Sequence, residues 1–139
     1  MIAYSTLRRV IALTVILLLI AGCKFYNAGK QVRTVATMQG ICALIEQKKD
    51  EHRSIDEVGI RMLAKQVAGG RDGWGNEILV ATRNTPHGLS YLLISMGSDG
   101  QLDVSTPRLY FAKTPADVRI DTTRDIVFVD GKQVTNAGK

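Results

Sequence analysis

The chain has 139 residues, of which 45% are hydrophobic, and a formal net charge of +5. This length suits one compact domain together with a targeting or membrane segment. The charge falls to +3 without Arg8 and Arg9, and no basic run is interleaved with aromatic residues. The composition therefore argues against a nucleic-acid-binding protein.

Residues 1–22 are predicted to form a signal or membrane segment. Val10–Gly22 carries no charge and has Thr14 as its only polar residue. It follows Arg8 and Arg9, and no acidic residue precedes Glu46. A basic start, an apolar core and a small-residue ending are typical of a secretory signal. We therefore expect a membrane-anchored protein whose domain lies on the periplasmic, extracytoplasmic side.

Two ways of holding the chain at the membrane remain open. The apolar run spans roughly 20 Å as a helix, which is shorter than the ~30 Å hydrocarbon core. A spanning helix would therefore need to include Cys23, Phe25 and Tyr26. The ending Ile20-Ala21-Gly22-Cys23 resembles the site at which bacterial lipoproteins are cut before a lipid-bearing cysteine. Cys23 is therefore a candidate lipidation site, and an uncleaved membrane helix is the alternative.

The domain is predicted to occupy residues 23–139 and to begin with a long helix over residues 24–52. Val32, Val35, Met38, Cys42 and Ile45 recur at spacings of three and four, which indicates one buried helix face. A disulfide between Cys23 and Cys42 is not expected, because one helix would hold the two residues about 30 Å apart.

A short second helix is predicted over residues 54–68. Ser54 and Glu57 have the spacing of a capping box, with Ser54 as the N-cap residue. Apolar residues follow at positions suited to an amphipathic helix, and two glycines provide a C-terminal stop. The predicted apolar face consists of Ile55, Val58, Met62 and Val67, and the stop is Gly69-Gly70.

Residues 71–135 are predicted to form a small antiparallel sheet. The runs 77–82 and 89–95 are apolar and rich in strand-forming residues, and the intervening Arg83–Gly88 indicates a hairpin. A further strand is expected around Arg108–Lys113. A second hairpin is predicted from strands 125–129 and 132–135, because Asp130-Gly131 suits a type I′ turn. The predicted fold class is α+β, with the long N-terminal helix packed on the sheet.

Candidate catalytic residues are scarce. His52 and His87 are the only histidines, and neither has a recognisable nucleophile or metal-ligand spacing nearby. We therefore expect a protein that is not an enzyme.

Acidic residues in glycine-rich turns offer the other candidate chemistry. Asp99, Asp103 and Asp125 are ligands of the type that Ca²⁺ prefers. The loop does not match an EF-hand, since Val104 and Tyr110 stand at its sixth and twelfth positions. The alternative is that these residues only shape turns.

Four segments together resemble one family, the major pseudopilin of type II secretion, which is related to type IV pilins. The similar segments are the exit from the apolar run, a Trp-Gly-Asn turn, a Ser-x-Gly-x-Asp-Gly loop and an Asp-Ile pair. They are Lys24–Ala28, Asp72–Asn76, Tyr91–Gly100 and Asp125–Val127. This resemblance implies a long helix on a small antiparallel sheet and a calcium site formed by Asp99 and Asp125. Asp103 is a further candidate ligand, and backbone carbonyls near Ser95 and Ser98 would complete the site.

The N-terminus departs from the resemblance. Assembled pilins carry a glutamate near the start of the apolar stretch, whereas no acid precedes Glu46 here, and Cys23 stands where the family commonly has proline. The resemblance implies a structural or accessory subunit of a secretion apparatus that packs against other pseudopilin-like subunits. The departure favours the alternative, a lipid-anchored periplasmic binding or scaffold module that does not polymerise.

Overall fold

The computed structural model describes residues 2–51, 54–112 and 124–134, with side chains from residue 11 onward. Within these described residues, two α-helices and two short 3₁₀ helices accompany four strands. In chain order the elements are α1 (Ile2–Asp50), α2 (Glu57–Gln66), a 3₁₀ helix (Ala68–Gly70), β1 (Leu79–Thr85), β2 (Gly88–Ser95), a second 3₁₀ helix (Pro107–Ala112), β3 (Ile126–Val129) and β4 (Lys132–Val134). The α+β class predicted from the sequence is confirmed. His52 lies outside the described residues.

Helix α1 is unbroken from Ile2 to Asp50, so the predicted helix 24–52 is the second part of a longer one. Its buried face includes Thr34, Met38, Ile41 and Ile45, each 0% exposed. The assignment of Val32 to this face was wrong, because Val32 is 70% exposed. Two residues correspond to about 200° around a helix, which places Val32 on the side opposite Thr34.

Helix α2 begins at a different cap from the one predicted. The carboxylate of Asp56, and not the hydroxyl of Ser54, accepts the backbone N–H of Gly59 at 2.8 Å. The buried face accordingly consists of Ile60, Leu63 and Ala64. The predicted face was wrong in two members, since Val58 and Met62 are 62% and 65% exposed. Ile55 and Val67, the other two, pack at the edge of the core.

The strands form one antiparallel sheet in the order β1–β2–β3–β4. The first hairpin is tighter than predicted, because Thr85 pairs with Gly88 and leaves Pro86-His87 as the turn. Asp130 and Gly131 have φ of 47° and 77°. Positive φ at both central residues is the type I′ geometry that the sequence predicted.

Both faces of the sheet are buried. On one face Tyr91, Leu93 and Phe128 pack against α1 and α2. On the other face Leu92, Ile94 and Val127 pack against Tyr110, which lies in the second 3₁₀ helix.

The strand predicted around Arg108–Lys113 is therefore a 3₁₀ helix as far as Ala112, and Lys113 lies outside the described residues. It covers the sheet instead of extending it, because Tyr110 is buried against the second face.

Candidate functional site

The N-terminal part of α1 has the properties of a membrane or signal segment. It belongs to the one helix in the described residues that is long and apolar enough to cross a membrane. Its large apolar side chains, from Ile11 to Ile20, are between 50% and 67% exposed. A core helix of a soluble domain would bury such side chains, so this segment needs another apolar environment. Cys23 follows it as an exposed free cysteine.

The turn at residues 72–76 holds the domain against α1. The backbone N–H of Gly73 donates to Thr34 Oγ1 at 2.8 Å, and this hydroxyl donates to the carbonyl of Lys30 at 2.9 Å. The indole N–H of Trp74 reaches Asn27 Oδ1 at 3.5 Å. A Cβ built on Gly73 would lie 2.3 Å from the Lys30 carbonyl oxygen. The turn therefore approaches the helix so closely that only glycine fits.

Asp72 connects this turn to the end of β2. Its buried carboxylate accepts the backbone N–H groups of Trp74 and Asn76 at 2.9 and 2.8 Å, and the hydroxyl of Ser95 at 2.7 Å. The side-chain amide of Asn76 donates to the carbonyl of Gly97 at 2.9 Å. Two segments that the sequence singled out separately, 72–76 and 91–100, therefore form one hydrogen-bonded unit on the helix.

Two of the three candidate calcium ligands lie together. The backbone N–H of Asp103 donates to Asp125 Oδ2 at 3.0 Å, and that of Asp125 donates to Asp103 Oδ2 at 2.9 Å. Tyr110 donates its hydroxyl to Asp125 Oδ2 at 2.5 Å. Asp125 is 6% exposed, and its second oxygen, Oδ1, is buried and has no hydrogen-bond partner among the described residues.

The electrostatics of Asp125 favour either a proton or a cation. Burial raises the pKa of its carboxyl group, and the negative charges of Asp103 and Asp99 raise it further, although the Tyr110 hydroxyl opposes this shift. The ionised form therefore costs stability, increasingly so as the pH rises from 3.8, the ordinary value, through the raised pKa. A bound cation would remove that cost.

The third candidate, Asp99, is less closely associated. It is exposed, and its Oδ1 accepts the backbone N–H of Gln101 at 3.0 Å. Within the described residues no three His, Cys, Asp or Glu side chains are grouped for a metal ion. The residues present fit a calcium ion as two carboxylates with an unpaired oxygen on Asp125, and backbone carbonyls would supply the remaining ligands.

Two other candidate reactive residues, His87 and Cys42, lie outside these clusters. His87 is exposed in the turn between β1 and β2. Cys42 is 6% exposed beside Tyr91, whose hydroxyl donates to Glu46 Oε1 at 3.2 Å. Burial raises the pKa of the Cys42 thiol and of the Tyr91 phenol. Cys42 is therefore a thiol at neutral pH, which is the unreactive form.

Three residues of this site carry roles that the sequence interpretation missed, namely Thr34, Asp72 and Tyr110. The role of Thr34 could not be predicted because a threonine among apolar residues gives no periodic signal. Tyr110 was assigned to a strand, which gave it no relation to Asp125. Asp72 was noted only as part of a turn, although an aspartate two residues before a tryptophan N–H suggests an Asx turn.

The geometry defines an α+β domain built on a helix of membrane-segment character, with a two-carboxylate site at the far side of the sheet. Comparison of the chain with protein-family models, curated proteins and solved structures finds no match.

Proposed function

We propose that this chain is a non-enzymatic envelope protein that acts by packing against other subunits of a type II secretion-type apparatus. The observation that carries the proposal is the continuity of α1. One helix is apolar and exposed over residues 11–22 and becomes the spine of the domain over residues 31–45. A domain fixed rigidly to its membrane segment suits a subunit that assembles beside others in the same membrane.

The contacts at residues 72–76 support the proposal. The segments that resemble the major pseudopilin are not scattered over the surface, since Trp74 reaches Asn27, and Asp72 bonds Ser95. The resembling residues therefore serve one structural purpose, which is to fix the sheet on the helix. This supports the proposal, because the resemblance implies a small antiparallel sheet packed on a long helix.

The exposed cysteine favours a second candidate function. Cys23 is free and accessible at the end of the apolar segment. Cleavage before it would leave a lipid-anchored periplasmic scaffold or binding module that uses the same domain without polymerising. Several acyl chains would hold such a module durably, since each buried CH₂ contributes about 0.8 kcal/mol.

The intact mass of the mature protein, extracted from membranes, separates the two candidates. A subunit that packs through its membrane helix retains residues 10–22, and it co-purifies with other envelope subunits. The scaffold begins at Cys23 and carries the added mass of lipid. Recovery solely as a monomer shortened to Cys23 would contradict the first candidate, and an unmodified Cys23 in a full-length chain would contradict the second.

We also propose that the domain binds Ca²⁺ through Asp103 and Asp125, with Asp99 and carbonyls near Ser95 and Ser98 as further ligands. The supporting observation is the buried Asp125 Oδ1, which has no hydrogen-bond partner in the part of the chain that the structure describes. Such an atom costs about 1–3 kcal/mol when unsatisfied, and more when charged. A cation coordinated there would recover part of this cost.

Thermal unfolding tests the calcium proposal. Millimolar Ca²⁺ is expected to raise the midpoint over that in chelator, because a ligand that binds only the native state stabilises it, by about 1.4 kcal/mol at tenfold the Kd. Asp125→Asn should abolish the difference, and Mg²⁺ serves as the control cation. An unchanged midpoint at millimolar Ca²⁺ would count against the site.

A further inference from the structure

The outer edge of β1 is only partly paired. Residues 70–72 pair with this edge just before β1 begins, where the backbone N–H of Ile78 donates to the carbonyl of Gly70 at 2.9 Å. Because the backbone groups of successive residues in a strand point to opposite sides, those of Thr82 and Asn84 also point away from β2. Among the described residues no backbone group pairs with them on that side. The edge can therefore accept one more strand, in line with residues 70–72.

A pocket of about 350 Å³ with a basic lining lies at the start of this edge, between α2, the first 3₁₀ helix and β1. Three cationic side chains line it, those of Arg61, Lys65 and Arg71. Arg61 connects the pocket to the edge, because it donates to the carbonyl of Val80 at 3.3 Å while it pairs with Glu57 at 2.8 Å. The pocket is therefore suited to a negatively charged group that lies beside β1.

The other two cations of the pocket are available to a ligand. Lys65 is exposed and has no hydrogen-bond or ion-pair partner among the described residues. Arg71 is exposed and donates to the carbonyl of Gly75 at 2.7 Å, which is a neutral acceptor. Glu77 is the one acidic residue in the lining, and it lies across a β-bridge from Arg71. Two available cations therefore face one carboxylate, and an incoming carboxylate would meet an excess of positive charge.

We propose that β1 accepts an extended acidic segment of another protein as a fifth strand, with its carboxylates beside Lys65 and Arg71. The backbone of Thr82 and Asn84 supplies the hydrogen bonds that hold an added strand, and the cations of the pocket select an acidic one. A second copy of β1 fits less well, because Arg83 is its one charged residue and would add a further cation. The inference goes beyond the proposed packing of the membrane helix, since it assigns a separate contact to the domain.

Binding of defined peptides to the full-length chain in zwitterionic detergent micelles tests the inference. The first peptide alternates threonine and valine and ends in two glutamates, and the second ends in two lysines. The third repeats the first with N-methyl groups on alternate amides, which removes the donors of one strand edge. Salt at about 0.15 M screens long-range attraction. From fluorescence anisotropy we expect the first peptide to bind at least about tenfold more tightly than either of the others.

Two lysines provide a matched pair of variants. Lys65 and Lys132 are both exposed, but Lys132 lies in β4, at the opposite edge of the sheet. Lys65→Glu should weaken binding of the glutamate peptide at least about tenfold, whereas Lys132→Glu should leave it unchanged. Far-UV circular dichroism verifies that each variant is folded.

Amide hydrogen exchange identifies the backbone that the peptide contacts. Exchange of the Thr82 and Asn84 amides should slow at least about tenfold when the glutamate peptide is bound, because each N–H gains a hydrogen-bond partner. His87, in the turn that follows β1, lies beyond the edge and should exchange at an unchanged rate. Binding without slower exchange at Thr82 and Asn84 would contradict strand addition.

Each of the other contrary outcomes also overturns the inference. Equal binding of the lysine peptide would show that charge does not select the partner, and equal binding of the methylated peptide would show that no strand is added. Equal losses in the two lysine variants would place the contact elsewhere. Displacement of the glutamate peptide by anionic lipid added to the micelles would assign the cations to a membrane surface. None of these outcomes bears on the mature mass, which judges the proposed function separately.

Discussion

Gly73 shows how a single residue sets the distance between the sheet and the helix. Its backbone N–H reaches Thr34, and the space where a Cβ would stand is occupied by the Lys30 carbonyl group. Gly75 of the same turn has no atom within 4 Å of a built Cβ but has a φ of 92°, and Gly29 of the helix has no atom within 4 Å of a built Cβ. The requirement for glycine at position 73 therefore comes from packing and not from a positive φ.

Gly73→Ala is expected to destabilise the domain by about 1–3 kcal/mol, because the turn must move away from α1 and lengthen its bond to Thr34. Urea unfolding followed by circular dichroism measures this change. Gly29→Ala is the matched control. It should be neutral or stabilising by up to about 1 kcal/mol, since alanine is the better helix former and the site is open. If Gly73→Ala is as stable as the unchanged chain, the turn does not contact the helix as closely as the structure indicates.

At the scale of elements, α2 is attached to the edge of the sheet by two side chains one helical turn apart. Arg61 donates to Glu57 at 2.8 Å and to the carbonyl of Val80 at 3.3 Å. Glu57 accepts the hydroxyl of Thr82 at 3.1 Å. The hydrogen bond from Arg61, followed by that from Thr82, lowers the pKa of the Glu57 carboxyl group despite partial desolvation. This small network links the helix to β1.

The lowered pKa of Glu57 predicts a pH dependence of stability. Its contribution is present above 4.5, the ordinary value, and is lost as the pH falls through the lowered pKa. Glu57→Gln should therefore lower the free energy of unfolding by about 0.3–0.5 kcal/mol at neutral pH. It should also reduce the loss of stability between neutral and acid pH. The expected effect is small because the Glu57 side chain is partly exposed. Urea unfolding from pH 7 to pH 3 measures both effects. Glu77→Gln is the control. If both variants lose stability at acid pH in the same way, the pH dependence does not come from Glu57.

On the scale of the whole molecule, α1 belongs to two environments. Residues 11–20 contribute nothing to the core of the domain, whereas Thr34, Met38, Ile41 and Ile45 are fully buried in it. The apolar N-terminal segment and the domain are therefore continuous in backbone but separable in packing. The stability of the domain should depend on where the helix is cut.

Removal of residues 1–22 is expected to leave the unfolding free energy within about 0.5 kcal/mol, because the described side chains of this segment, from residue 11 onward, are exposed and lie outside the core. The shortened chain should also dissolve without detergent. A chain that begins at Thr37 loses Thr34 and its bond to Gly73, and it should be destabilised by at least about 1–3 kcal/mol. Urea unfolding of the two truncated chains makes the comparison. A large loss from the shorter deletion would show that the apolar segment stabilises the domain.

Much of the fold was predictable because its signals are local. The part of α1 from residue 24 to its end follows from a helical pattern, although the sequence did not predict that the helix continues unbroken from Ile2. The second hairpin follows from Asp130-Gly131, which tolerates the positive φ of its turn. The faces of the helices were less predictable. Val32, Val58 and Met62 are apolar but exposed, and a period of 3.6 does not say which of two adjacent apolar arcs meets the core.

The candidate site was predictable in composition but not in arrangement. Asp103 and Asp125 were recognised as calcium-ligand types, and they do lie together. The buried, unpaired Oδ1 of Asp125 and its contact with Tyr110 were not foreseen. They depend on a 3₁₀ helix that covers the second face of the sheet, and no local pattern encodes that packing.

The sequence by itself determined the α+β class, the apolar N-terminal segment and the positions of the turns, since these depend on composition, periodicity and backbone preference within a few residues. Only the tertiary structure decided which residues act together. It joined Asp72 to Ser95, placed Gly73 against α1 and brought Tyr110 to Asp125. The physical reason is that hydrogen bonds and close contacts between distant segments depend on how the elements pack, and packing is a property of the whole chain.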